Sequence, residues 1–206
     1  MSYPQAPWTL KGYAISTLHL MDVDKIQNLI PKELKIFSVF PGKTVGAVYL
    51  SYYGSGSVLE YSELIVAPAI VSYQGKIGPW VSHIYVDNTD SVAGGREIWG
   101  LPKEMATFSW ENDLRVTVRQ GDRLLCSLDY KQQSLAWRQW LSGSAFTVKD
   151  GKIQIFPAEF ESRLGLIGSK LEVPPESPFS GTNLGQPLLT VRGQEMILQV
   201  AAPKDV

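Results

Sequence analysis

The chain has 206 residues, 44% hydrophobic and 19% charged, which is enough apolar material for a sizeable core and excludes disorder as the main state. Nineteen Lys+Arg against 20 Asp+Glu leave a formal net charge of -1, so there is no electrostatic footprint for nucleic acid or for an anionic membrane surface. One cysteine, Cys126, allows no internal disulfide, and two histidines, His19 and His83, are too few for most zinc sites; no metal is expected.

Met1-Ser-Tyr-Pro-Gln-Ala-Pro has no basic segment followed by an apolar one, so no secretory signal is read and a cytoplasmic location is expected. Lys11–Leu20 reads as a strand with Tyr13, Ile15 and Thr17 on one face. Asp22 is placed to cap a short helix, Val23–Ile30, that Pro31 stops. Strands are expected at Leu34–Phe40, Thr44–Tyr53, Val58–Tyr73 (bent at Pro68) and Trp80–Asp87. The uncharged run Leu64–Gly75 is too short to span a bilayer, and no membrane partner is expected. Asp90 is placed to cap a second helix through Trp99. Beyond Gly100, strands at Glu104–Trp110, Leu114–Gln120 and Arg123–Lys131 are joined by Asn112-Asp113 and Gly121-Asp122 turns. Phe146–Lys149 and Lys152–Phe156 form a hairpin across Asp150-Gly151. Pro174–Pro178 marks a surface loop, and Leu188–Val191 with Glu195–Ala201 suggests a last hairpin across Gly193.

No repeat and no linker divides the chain, so residues 1–206 are read as one domain. Short strands about ten residues apart, with few helices, predict a mainly β (β-rich α+β) fold. The expected form is a closed or nearly closed antiparallel barrel with an interior cavity and a few short helices.

Two features could carry chemistry. On a strand over Val58–Val66, Leu59, Tyr61, Glu63 and Ile65 share a face, which sets Glu63 among apolar neighbours. A carboxylate there either meets solvent or a lysine on a half-exposed strand, or is buried and must be paired or protonated. In Gly94-Gly95-Arg96-Glu97-Ile98-Trp99-Gly100-Leu101-Pro102-Lys103-Glu104, glycines and a proline bracket a helical turn. They deliver Lys103 to the next strand beside Leu101, Pro102 and Met105. That lysine is either solvated, with its stem covering the core edge, or a desolvated amine.

The run Gly95-Arg96-Glu97-Ile98-Trp99-Gly100-Leu101-Pro102-Lys103 resembles the signature of the acetoacetate decarboxylase family. Glu60-Tyr61-Ser62-Glu63 and Tyr85-Val86-Asp87-Asn88 precede it in matching order, and the likeness runs from about Pro7 to Phe108. The resemblance implies a β-barrel with a buried cavity. It also implies that Lys103 forms a Schiff base with a β-keto acid, and that Glu63 positions or protonates the intermediates. A lysine suits this chemistry because its cationic imine draws in the electrons released as carbon dioxide departs, so no cofactor is required. The amine must first be neutral, and at an ordinary pKa of about 10.4 only roughly one lysine in 2,500 is so at pH 7.

Three departures stand out against that family. Glu104 occupies the place of a second lysine, although on a strand it points away from Lys103. Arg96 is the first arginine, so the family's N-terminal arginine has no counterpart and Lys11 is the nearest cation. The position of the family's second active-site carboxylate falls near Val48 and Tyr49, so that carboxylate is missing here. Arg96 either holds a substrate carboxylate or bonds loop carbonyls; Tyr61 and Met105 are further substrate-binding candidates. Two functions follow. One is a Schiff-base lyase or decarboxylase for a β-keto acid or related carbonyl compound, a different or bulkier substrate than acetoacetate, expected to be a homo-oligomer as its relatives are. The other is a non-catalytic barrel that binds a hydrophobic small molecule.

Overall fold

Side-chain alternation is weak in the central strands because both of their faces are covered: six of the seven residues of Tyr61–Ala67 are buried. The computed structural model describes residues 3–112 and 114–205. Met1, Ser2 and the Asp113 of the expected Asn112-Asp113 turn lie outside them.

In chain order the elements begin with β1 (Trp8–Asp22), α1 (Val23–Ile26) with a 3-10 turn (Gln27–Leu29), β2 (Lys35–Ile36), β3 (Lys43–Tyr53), β4 (Tyr61–Ala67), β5 (Ala69–Tyr73), β6 (Lys76–Trp80) and β7 (His83–Val86). Then come α2 (Thr89–Trp99), β8 (Lys103–Met105), β9 (Thr107–Glu111), β10 (Arg115–Gln120) and β11 (Arg123–Tyr130). The rest is β12 (Trp137–Lys149), β13 (Lys152–Leu166), β14 (Ser169–Glu172), a 3-10 turn (Ser180–Thr182), β15 (Leu189–Val200) and β16 (Lys204–Asp205).

The fold is mainly β, but the barrel does not close. The large sheet runs β2-β5-β6-β12-β13-β15-β1-β3-β4-β7-β8, with β16 beside β13, and its two ends do not pair. Each end is a stub of two or three residues, too short to seal a seam. The sheet is also mixed rather than antiparallel, because β7 and β8, and β6 and β12, pair parallel. Strands that could have extended it past β8 form a second sheet instead, β14-β11-β10-β9. Val116, Val118, Leu125 and Leu128 of that sheet pack with Ile15, Leu50, Leu64 and Val66 of the large one, and this is the main core.

Several local expectations are corrected. Leu34–Phe40 forms a strand only at Lys35–Ile36, against β5, with an isolated bridge from Phe40 to Lys43. The stretch Val58–Tyr73 is two strands separated at Pro68, which has no N–H for the ladder. Leu189–Val200 is one strand, not a hairpin across Gly193, since β1 and β13 already pair with its two edges. Asn88 caps α2, its side chain accepting from the Ser91 N–H at 3.0 Å. Asp22 makes no cap bond; its carboxylate pairs with Lys25 and Lys43.

His19 is buried between a carbonyl and a hydroxyl. Its Nδ1 lies 3.0 Å from the Leu184 carbonyl, which can only accept, so Nδ1 carries the proton and Nε2 accepts from Thr17 Oγ1 at 2.8 Å. Burial lowers its pKa, as it does that of His83. The unfolded chain therefore binds the proton first. The stability contributed by the neutral rings is present above about pH 6.5 and is lost as pH falls below it. In urea titrations from pH 8 to pH 5, His19→Gln should flatten that decline by up to about 1.4 kcal/mol per pH unit. An unchanged slope would remove His19 as its cause.

Candidate functional site

The face of the large sheet opposite the core walls a chamber of about 310 Å³. On β4 the alternation divides the two: Leu64 and Val66 enter the core, while Tyr61, Glu63, Ile65 and Ala67 line the chamber. On β3, Val48 and Leu50 face the core, whereas Ala47, Tyr49 and Tyr53 face the chamber.

Helix α2 delivers the lysine. Gly100, at φ 68°, ends the helix in the left-handed conformation that glycine adopts without strain. Leu101-Pro102 then leads directly into β8, whose first residue is Lys103. Arg96 Nε donates to the Lys103 carbonyl at 2.8 Å and fixes the turn. The helix also lies hard against the lysine stem, since a Cβ on Gly95 would sit 2.4 Å from Lys103 Cδ and 2.7 Å from Cε.

Lys103 and Glu63 are 3% and 4% exposed, too little for either charge to be hydrated, so each must be satisfied by protein. Lys103 Nζ donates to Glu63 Oε1 at 2.8 Å and to Ser91 Oγ at 2.9 Å. It also lies 5.0 Å from the centre of the Tyr61 ring and 5.7 Å from that of Trp8, within cation–π range. Tyr53 donates to Glu63 Oε2 at 3.0 Å, and the Tyr49 hydroxyl is 3.2 Å from that of Tyr53. Burial, followed by the charge of Glu63, pushes Tyr53 and Tyr61 well above the ordinary phenol value. Burial likewise raises Tyr49, although its bond to Tyr53 opposes the shift. All three remain O–H groups at neutral pH.

Lys103, Glu63 and Tyr61 are thus brought together, Tyr61 with Glu63 as strand alternation places them and Lys103 with Glu63 as the family resemblance implies. Glu104 does point away: it is exposed and accepts from Gln120 Nε2 at 2.7 Å. Two candidates are not in the chamber. Arg96 is exposed on α2, its Nε committed to the Lys103 carbonyl. Met105 is 42% exposed, because the face it shares with Lys103 is roofed by α2 at Lys103 and open at Met105. Lys11, the nearest cation by sequence, is exposed and outside the chamber. Tyr53 and Ser91 were not foreseen. Alternation from Tyr49 was the available signal for Tyr53, but no local pattern marks Ser91, a helix residue twelve positions before the lysine. Among the described residues no cluster of His, Cys, Asp and Glu could hold a metal ion.

A mainly β fold thus sets one buried lysine and one buried carboxylate against an apolar chamber. The family model described as acetoacetate decarboxylase (ADC) matches residues 1–160, and the chain belongs to that family. Protein NEOXANTHIN-DEFICIENT 1 of Solanum lycopersicum is 31% identical over 109 residues, 53% of this chain and 37% of that protein. Acetoacetate decarboxylase 1 of Mesorhizobium japonicum is 27% identical over 139 residues, 63% of this chain and 48% of that protein. The chain therefore spans less than half the length of these curated relatives. The crystal structure of acetoacetate decarboxylase from Legionella pneumophila superposes with a TM-score of 0.78 at 17% identity. That match covers 100% of this chain and 89% of that one, a likeness of fold.

The contact at Gly95 yields a prediction of opposite sign for folding and for function. Alanine is favoured over glycine inside a helix by about 1 kcal/mol. Its methyl would nonetheless displace the Lys103 stem, whose tip Glu63 and Ser91 hold in place. Gly95→Ala should leave Tm within a few degrees of the parent and slow amine chemistry at Lys103 by about tenfold or more. Unaltered reactivity would mean that the stem shifts without moving Nζ.

Proposed function

We propose that the chain is a Schiff-base-forming lyase, a decarboxylase or close relative, acting on a β-keto acid or related carbonyl compound through Lys103. The observation that carries this reading is the enclosed pair: Lys103 Nζ lies 2.8 Å from Glu63 Oε1 at the wall of a chamber of about 310 Å³.

The pair supplies the neutral amine. Transfer of one proton along the bond converts ammonium and carboxylate into amine and acid without changing the net charge of the chamber. The amine attacks the carbonyl carbon, forming the C–N bond as the C=O pair moves to oxygen. Glu63 returns its proton to that oxygen, then takes a second proton from the nitrogen and passes it to the resulting hydroxyl, which leaves as water, and the iminium forms. In a β-keto acid the C–C bond to the carboxylate then breaks, carbon dioxide departing as the electron pair flows to the iminium nitrogen. The resulting enamine takes a proton at carbon, and water hydrolyses the imine to release ketone and amine. Tyr53 and Ser91 hold Glu63 and Nζ in place through these steps, a positioning role.

Incubation with a panel of β-keto acids, ketones and aldehydes, followed by borohydride and peptide mapping, tests the reading. A reduced adduct on Lys103 is expected. No adduct with any carbonyl would favour the second reading, a module binding a hydrophobic small molecule, which the largely apolar lining supports. Self-association belongs to the same proposal: Trp137, Trp140 and Leu141 are exposed on the part of β12 that pairs only with β13 among the described residues. A monomer in sedimentation velocity at all concentrations would remove that part. Among the described residues no helix is long and apolar enough to cross a membrane.

A further inference from the structure

The chamber has two chemically different ends, and the strand register says which residues occupy each. Ser51 pairs with Glu63, Tyr49 with Ile65, and Ala47 with Ala67. From Glu63 to Ala67 is four residues along β4, about 13 Å. All ionisable groups of the lining belong to the Glu63 end: Lys103, Glu63 and the three tyrosines lie within the bonded and ring contacts already described. The Ala67 end is built from Leu18, Ala47, Ala67, Pro79 and Val81, which offer no polar side-chain atom; the hydroxyl of Ser16, opposite Tyr49, lies between the two ends. Leu18 pairs with Ala47 and so borders the same end from β1.

We infer that this distal end holds an apolar tail, and that the substrate is a β-keto acid or related carbonyl compound carrying a straight or lightly branched alkyl chain with no second charge. This rests on the Schiff-base reading of Lys103. Size and polarity agree. At the ~30 Å³ that a water molecule takes in the liquid, 310 Å³ holds about ten non-hydrogen atoms. A β-keto acid head uses about six of them, which leaves room for about four in the tail, where acetoacetate has one methyl. A charged or hydroxylated tail would lose its water at the distal end and find no partner among those five side chains. An alkyl tail leaves water at a gain of roughly fourfold in affinity per buried methylene. The two alanines keep that space open, since a larger residue at either position would occupy it.

The test is a homologous series of straight-chain 3-keto acids and 2-ketones of four to ten carbons, read by borohydride-trapped adduct on Lys103 and by kcat/KM. Straight-chain alcohols of the same lengths serve as non-covalent probes by calorimetry. The expected result is a kcat/KM and an alcohol affinity that rise about two- to fourfold per methylene up to seven or eight carbons, then level or fall. Ala67→Leu and Ala47→Leu should each lower the ratio of eight-carbon to four-carbon kcat/KM by at least about tenfold. Circular dichroism and Tm identify a variant that has not folded, and the parent series decides the matter alone if neither folds. Adducts that form with acetoacetate but do not improve with length would overturn the inference and leave the Schiff-base proposal standing. No adduct with any carbonyl, together with alcohol affinity rising with length, would overturn the Schiff-base proposal and keep the apolar ligand class. Length-independent behaviour in both assays would overturn both.

Discussion

Lys103→Ala is expected to abolish the borohydride-trapped adduct and to lower turnover of any carbonyl substrate by about 10⁴-fold or more, because the covalent route closes entirely. Removing the cation also leaves Glu63 buried with Tyr53 as its remaining donor. Loss of one partner from a buried pair costs about 3–5 kcal/mol, so the alanine variant alone would confuse a catalytic loss with an unfolded chain. Lys103→Arg separates the two. A guanidinium keeps the charge beside Glu63 but does not give up its proton to become a nucleophile. A folded Lys103→Arg protein without adduct places the chemistry on the amine, whereas one that still turns over β-keto acids would remove Lys103 from the reaction.

Glu63→Gln is the second large effect. If Glu63 carries the proton from ammonium to departing water, turnover should fall by about 10²–10⁴-fold, and the limb of the pH–rate profile that reports the carboxylate should vanish. The amide still reaches Lys103 and Tyr53, so a residue that only shaped the chamber would leave the profile intact. The variant also strands an ammonium away from water, and unfolding in urea should show a loss of about 3–5 kcal/mol. The double variant Lys103→Met with Glu63→Leu removes both charges and should regain most of that stability, because apolar groups of similar volume need no desolvation to be offset. Additive losses in that cycle would deny the pair any coupling.

Local stereochemistry made the placement of single residues legible in the sequence, whereas the pairing of Lys103 with Glu63 was indicated only by the resemblance to the acetoacetate decarboxylase family. Glu63 and Tyr61 are two residues apart on one strand, and strand alternation alone puts them on one face. Lys103 follows a helix, a left-handed glycine and a proline, which together dictate where a side chain enters the next strand. Short-range stereochemistry likewise turned Glu104 outward. Arg96, in the second of its two expected roles, and Met105 stand outside the chamber because sequence proximity to Lys103 is not proximity to the chamber. One is spent on a carbonyl of the same turn, and the other lies past the edge of α2.

The closed barrel failed for a different reason. Strand number and spacing do not say where a sheet stops, and the β9–β11 segment buried its apolar face on the large sheet instead of continuing it.

By itself the sequence determined that the protein is rich in β-structure and nearly neutral, and its resemblance to a known family singled out Lys103 and Glu63. Only the tertiary structure decided that the amine touches Glu63 and Ser91, that Tyr53 backs the carboxylate, and that the sheet stays open around an apolar chamber. Backbone preferences act over a few residues and can be read along the chain, whereas Lys103 meets Glu63 across forty positions through pairing of β4 with β7 and of β7 with β8. Such contacts are chosen by which apolar faces bury each other, a property of the whole fold rather than of any segment.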